Sequence, residues 1–95
     1  MTAKSFKPVF LGYIIASDKE DFLQKYTFAV GYQNAVWTMF PDLAQRFKTV
    51  EEASAVIGFM DFSYPVFILE IHDLGKQVGL LPVDSFPCPD WMPLS

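Results

Sequence analysis

The spacing of apolar positions divides the chain into several short strand-like runs and one stretch of helical period. In the helical stretch, Phe47 to Met60, the residues Val50, Ala53, Val56, Ile57 and Met60 share one face of a 3.6-residue wheel. Glu51, Glu52, Ala55 and Phe59 fall on the other face. Thr49 stands three residues before Glu52, which is the spacing of a capping box. Its hydroxyl accepts from the Glu52 N–H, and the Glu52 carboxylate reaches back to the Thr49 N–H. Both glutamates also suit the positive end of the helix dipole. These signals predict a helix over about 49–60, weakened near its end by Gly58 at a cost of roughly 1 kcal/mol relative to Ala. Phe59 is out of place, an aromatic ring on the face that carries the charges.

The other apolar runs have strand character. Pro8 to Ser17 is β-branched and aromatic and apolar on both faces, so it reads as a buried strand. Gly12 in its middle marks a bulge or the close approach of another backbone. Residues 18–30 admit two readings. Ser17 and Glu20 suit a second capping box ahead of a stripe of Phe22, Leu23, Tyr26, Ala29 and Val30. Alternatively Asp18 to Asp21 is a hairpin turn followed by a strand over Phe22–Ala29, which the Tyr-Thr-Phe-Ala content favours. We take the hairpin. Gly31 to Asn34 reads as a turn and Ala35 to Phe40 as a short strand carrying Trp37, ended by Pro41. Val66 to His72 is a strong strand, with Phe67, Leu69 and Ile71 on one face and Val66, Ile68, Glu70 and His72 on the other. The second of these faces turns polar at its end and is expected to meet solvent. Asp73-Leu74-Gly75-Lys76 makes a tight turn with Gly75 at positive φ, and Gln77 to Leu81 returns as a last strand.

From Pro82 the pattern changes. Pro82, Pro87, Pro89 and Pro93 are four of the chain's 7 prolines, and they exclude a regular helix or a central strand. Phe86, Trp91, Met92 and Leu94 lie among them, so the segment is extended yet apolar enough to dock, either on its own domain or on a partner. The expected fold is therefore α+β: an antiparallel sheet of about four to five strands packed on one main helix. Residues 1–81 form the domain and residues 82–95 an extended Pro-rich tail.

Composition narrows the function. The chain has 95 residues with 52% hydrophobic and 19% charged, which fits one folded domain rather than a disordered chain. Aromatics reach 17%, with 10 Phe, more rings than a small core readily buries. The net charge is −4 and the basic residues are scattered, so direct binding of nucleic acid is disfavoured. The densest acidic group is Asp18, Glu20 and Asp21. Polar residues 1–7 read as a frayed end without a signal-peptide core. No apolar stretch approaches the about 20 residues of a membrane span. A single cysteine, Cys88, excludes an internal disulfide, and a reducing cytoplasm is the expected compartment.

No catalytic or cofactor set is visible. His72 and Cys88 are the lone members of their kinds, and a cysteine between two prolines of a tail is poorly held for nucleophilic work. The five glycines are isolated, which excludes a phosphate loop, and no metal-ligand spacing occurs. We therefore expect no enzyme activity, no cofactor and no metal. What remains is contact with a protein partner, a homodimer among the forms it could take. Candidate anchors are Phe59, Glu51 and Glu52 on the outer helix face, then Trp37, Phe86, Trp91 and Met92. Trp37 is expected first of all in the core. A small-molecule or nucleotide pocket between sheet and tail is a further reading.

The order of Tyr13-Ile14-Ile15, Phe22-Leu23 and Trp37, then Leu43-Ala44, Phe47, Thr49 and Glu51-Glu52-Ala53 ahead of the strand at Val66, resembles a loose class of small β-β-β-α-β proteins of phage and mobile-element genomes. The likeness covers about two thirds of the chain and is one of fold, carrying no site residue. It supports the hairpin at 18–30. The Thr27–Asn34 insert and the proline tail depart from it. In that setting small acidic proteins act as inhibitors of host defence, such as anti-CRISPR or anti-restriction proteins. The resemblance thus implies an alternative, an inhibitor, and the charge pattern separately supplies a candidate acidic face (Asp18, Glu20 and Asp21 with Glu51 and Glu52) that imitates nucleic-acid phosphates.

Overall fold

The most apolar run of the chain becomes the central strand of its sheet. The computed structural model describes residues 8–60, 62–84 and 86–92. The frayed end expected at residues 1–7, and Leu94, lie outside them. Strand β1 (Val9–Ser17) is flanked by β2 (Phe22–Ala29) and β4 (Val66–Asp73), with β3 (Tyr32–Thr38) and β5 (Val78–Pro82) at the edges. Among the described residues these five strands form one antiparallel sheet in the order β3-β2-β1-β4-β5, and helix α1 (Val50–Phe59) joins β3 to β4. The α+β expectation and the hairpin at residues 18–30 are both observed.

Local chemistry explains each element. Glu20 takes the left-handed conformation (φ 63°) in the β1–β2 turn, where the Ser17 N–H donates to the Asp21 carbonyl at 2.9 Å. The β2–β3 turn is tighter than expected. Val30 and Gly31 alone form it, because Gly31 supplies a φ of 76°, and β3 resumes at Tyr32 rather than Ala35. It stops at Thr38, whose hydroxyl accepts the Phe40 N–H at 3.1 Å before a 3-10 turn opens at Pro41. Gly75 turns the β4–β5 connection at φ 101°. On α1 the Thr49 hydroxyl accepts the Glu52 N–H at 3.1 Å, as the spacing predicts. The return arm differs: the Glu52 carboxylate accepts from the N–H of Lys48, one residue before the cap, at 3.0 Å.

β1 and β2 are joined by one residue pair, Ala16 and Phe22, and then part. The segment Gln45–Phe47 fills the gap. Its Gln45 N–H donates to the Leu23 carbonyl at 2.9 Å, and Tyr13 and Phe47 exchange two main-chain bonds of 2.9 and 2.8 Å. Gly12 is the residue that permits this. It sits beside a bulge at φ 139°, and a Cβ there would lie 2.8 Å from the Phe47 carbonyl oxygen.

Both faces of the sheet are covered. On one, Ala53 and Val56 of α1 and its C-cap Met60 pack on Ile15, Leu23 and Ile68, together with Phe47 and Val83. On the other, Ile14, Ala16, Phe22, Leu69 and Ile71 pack under Ala44, Cys88, Trp91 and Met92. This corrects the expectation for β4. The face of Ile68, Glu70 and His72 is the helix side, with the helix over Ile68 and the polar pair beyond it. The described part of the tail beyond Pro82 holds neither helix nor strand; the Phe86 N–H donates to the Val83 carbonyl and the Met92 N–H to the Pro89 carbonyl, both at 3.1 Å, and the segment docks on its own sheet. Trp91 donates its indole N–H to the Ser17 carbonyl at 2.8 Å and meets Phe22 edge-on at 5.8 Å.

Candidate contact surface

Beyond Leu23, β2 and β3 leave the body of the sheet as a two-stranded arm, and a row of rings follows it outward on the helix side. Phe47, buried in the core, stacks on Tyr26 at 6.4 Å. Tyr26 meets Phe59 at 6.0 Å, and Phe59 meets Phe28 at 5.1 Å. Exposure rises along the row to 41% at Phe59 and 51% at Phe28. The arm ends in Val30 and Tyr32, both exposed. The aromatic that looked misplaced on the helix is therefore half paid for: one side of Phe59 is held by the arm and the other faces solvent.

The remaining predicted residues scatter. Glu51 is exposed at the helix start, and Glu52 is engaged in the cap. Asp18 and Glu20 are exposed in the β1–β2 turn, while Asp21 is half-buried and accepts the Ser17 hydroxyl. Asp18 lies five residues along β1 from Tyr13, where the chain leading into the helix is held, or roughly 17 Å of strand. The first acidic group thus stands on the β1–β2 turn and the second at the start of α1. Trp37 is half-buried between Phe62 and Tyr64, at ring distances of 5.8 and 5.7 Å. Burial pushes the Tyr64 hydroxyl pKa up, the hydrogen bond with Trp37 pulls it down, and the Asp21 charge adds to the rise. Phe86 is exposed, whereas Trp91 is half-buried and Met92 is only 6% exposed on the tail side. Phe59 and Phe86 are thus the predicted apolar anchors that face solvent.

The groups with chemical capacity stay apart. His72 Nε2 lies 2.9 Å from the Glu70 carboxylate on the helix side, with Phe10 edge-on to the imidazole at 5.4 Å. Cys88 packs on the opposite face, so the sheet separates it from His72. Among the described residues no three His, Cys, Asp or Glu side chains gather as metal ligands. An open apolar depression of about 480 Å³ beside His72 is lined by Leu74, Gly79 and Leu81. Another of about 370 Å³, between sheet and tail, is lined by Phe22, Met39, Leu80 and Trp91.

Sequence reasoning missed Phe28, Val30 and Tyr32 as surface residues. The signal was present in the Val30-Gly31 turn flanked by alternating residues, but Gly31–Asn34 read as a longer turn and hid it. No protein-family model matches the chain, and neither a curated protein nor a solved structure matches it.

Proposed function

We propose that this protein is a non-enzymatic binding module that acts through protein–protein contact, with the arm and the outer end of the helix as its contact surface. The observation that supports this most is the half-exposed Phe28–Phe59 pair, held by Tyr26 and continuous with the core. Rings anchored on one side and bare on the other lose little conformational freedom on binding and bury large apolar area. A two-stranded arm is also marginal alone in water and gains from being covered. The partner is a protein, met in the cytoplasm, whose reducing conditions suit the single thiol. Among the described residues no helix is long and apolar enough to cross a membrane.

The inhibitor reading with an acidic face calls for one continuous negative surface. Two of these five acids, Asp21 and Glu52, are engaged in local hydrogen bonds with Ser17 and Lys48, which favours the apolar contact instead. The full chain used as bait against a host lysate tests the proposal. Phe28→Glu and Phe59→Glu should each abolish capture of the partner while shifting stability by no more than about 1 kcal/mol. Undiminished capture by both variants would overturn it.

A further inference from the structure

The two edges of the sheet are guarded very differently. β5 ends in Pro82, which lacks an N–H, and Lys76 stands in the turn before it. Such features discourage the addition of another strand. β3, Tyr-Gln-Asn-Ala-Val-Trp-Thr, holds neither proline nor charge.

The register shows which groups the open edge offers. Ala29 and Tyr32 flank a two-residue turn, so they face each other with their main-chain groups across the hairpin, as do Thr27 and Asn34; β2 bulges between Leu23 and Lys25, but β3 continues regularly, so Val36 keeps the same phase. The residues between, Ala35 and Trp37 among them, turn their N–H and C=O away from β2. Among the described residues no group bonds that outer edge at Ala35 or Trp37. Ala35 is small, and a depression of about 200 Å³ lies beside it on the helix side, lined also by Met60, Phe62 and Tyr64.

We infer that β3 pairs with β3 of a second copy of this chain, antiparallel about a two-fold axis at Val36. This goes beyond the contact reading above, since it uses the edge of the arm rather than the Phe28–Phe59 surface. Centring on Val36 sets Ala35 opposite Trp37 of the second copy, and Trp37 opposite its Ala35. All the outward groups of both residues are then bonded, in about four main-chain hydrogen bonds. Val36, 42% exposed, meets its own copy at the closely spaced position on the axis, apolar against apolar. Asn34 falls opposite Thr38. Self-pairing about this axis sets the axial residue against its own copy, so a charge at position 36 would repel itself. The neutrality of β3 is what makes a second copy the fitting occupant, where a foreign partner would more naturally be selected by charge.

The test is the mass of the full chain in solution by light scattering and sedimentation. At about 100 μM the wild type should run at twice its chain mass. Val36→Lys and Val36→Glu, at an exposed position, should each run at the single-chain mass, and an equimolar mixture of the two should recover the double mass. A wild type of single-chain mass, or a Val36→Lys variant that keeps the double mass, would overturn the inference. Neither result touches the Phe28–Phe59 reading, which is judged by partner capture.

Discussion

The two faces of this sheet are closed in different ways. On one side a capped helix lays Ala53, Val56 and Met60 over Ile15 and Ile68. Its main-chain groups are bonded within itself, so it brings side chains to the sheet at little polar cost. On the other side a proline-punctuated tail lays Trp91 and Met92 over Phe22, Ile14 and Leu69. It is held at points, by the Trp91 indole on Ser17 and by a local bond from the Met92 N–H to the Pro89 carbonyl at 3.1 Å. From this contrast we expect the helix side to unfold as one unit and the tail side to open locally without the sheet.

The hardest blow to the comparison is a charge on the helix side. Val56→Asp should cost more than about 4 kcal/mol and leave the chain largely unfolded, since it buries an unpaired carboxylate. Circular dichroism and denaturant titration would show this, and a cooperative transition near the wild-type midpoint would refute it. The tail side should respond more mildly. Trp91→Ala should cost about 2–3 kcal/mol, combining lost ring burial with a lost hydrogen bond to Ser17. Its amide-exchange signature should be loss of protection in residues 86–92, with β1 and β4 still protected; uniform loss would mean that the faces are one unit. The smallest effect lies with Tyr64. Its pKa is raised in the folded state, chiefly by burial, so its contribution is present below the ordinary tyrosine value and is lost as pH rises through the folded one. Stability should therefore fall above about pH 10. Tyr64→Phe should flatten that fall in denaturant midpoints measured across the range.

Much of the helix side was legible. The stripe and the Thr49 cap are local signals, and both stand where the spacing sets them. The strand at Phe22–Ala29 was legible through its composition, although helical period competed for the same residues. The tail side was not legible, because proline-rich segments have no period from which a partner can be read. The role of β4 was misjudged for a related reason. Alternation separates Glu70 and His72 from Leu69 and Ile71, but it does not say that a ten-residue helix covers just part of the more polar face. The contact surface was half legible: Phe59 stood out by violating its own helix pattern, while Phe28 gained meaning only through the arm that carries it to Phe59.

The wedge of Gln45–Phe47 between β1 and β2 bears on how the chain reaches this state. The hairpin that it parts, β1–β2, and the neighbouring hairpin, β2–β3, are contacts between neighbours in sequence and close quickly. The wedge arrives from beyond β3 and must be threaded to Tyr13 and Leu23 together, immediately before the helix it leads into. Until it does, the arm swings on the single Ala16–Phe22 pair. Phe47 therefore ties the angle of the arm to the start of the helix, so a probe on either should report the same folding event.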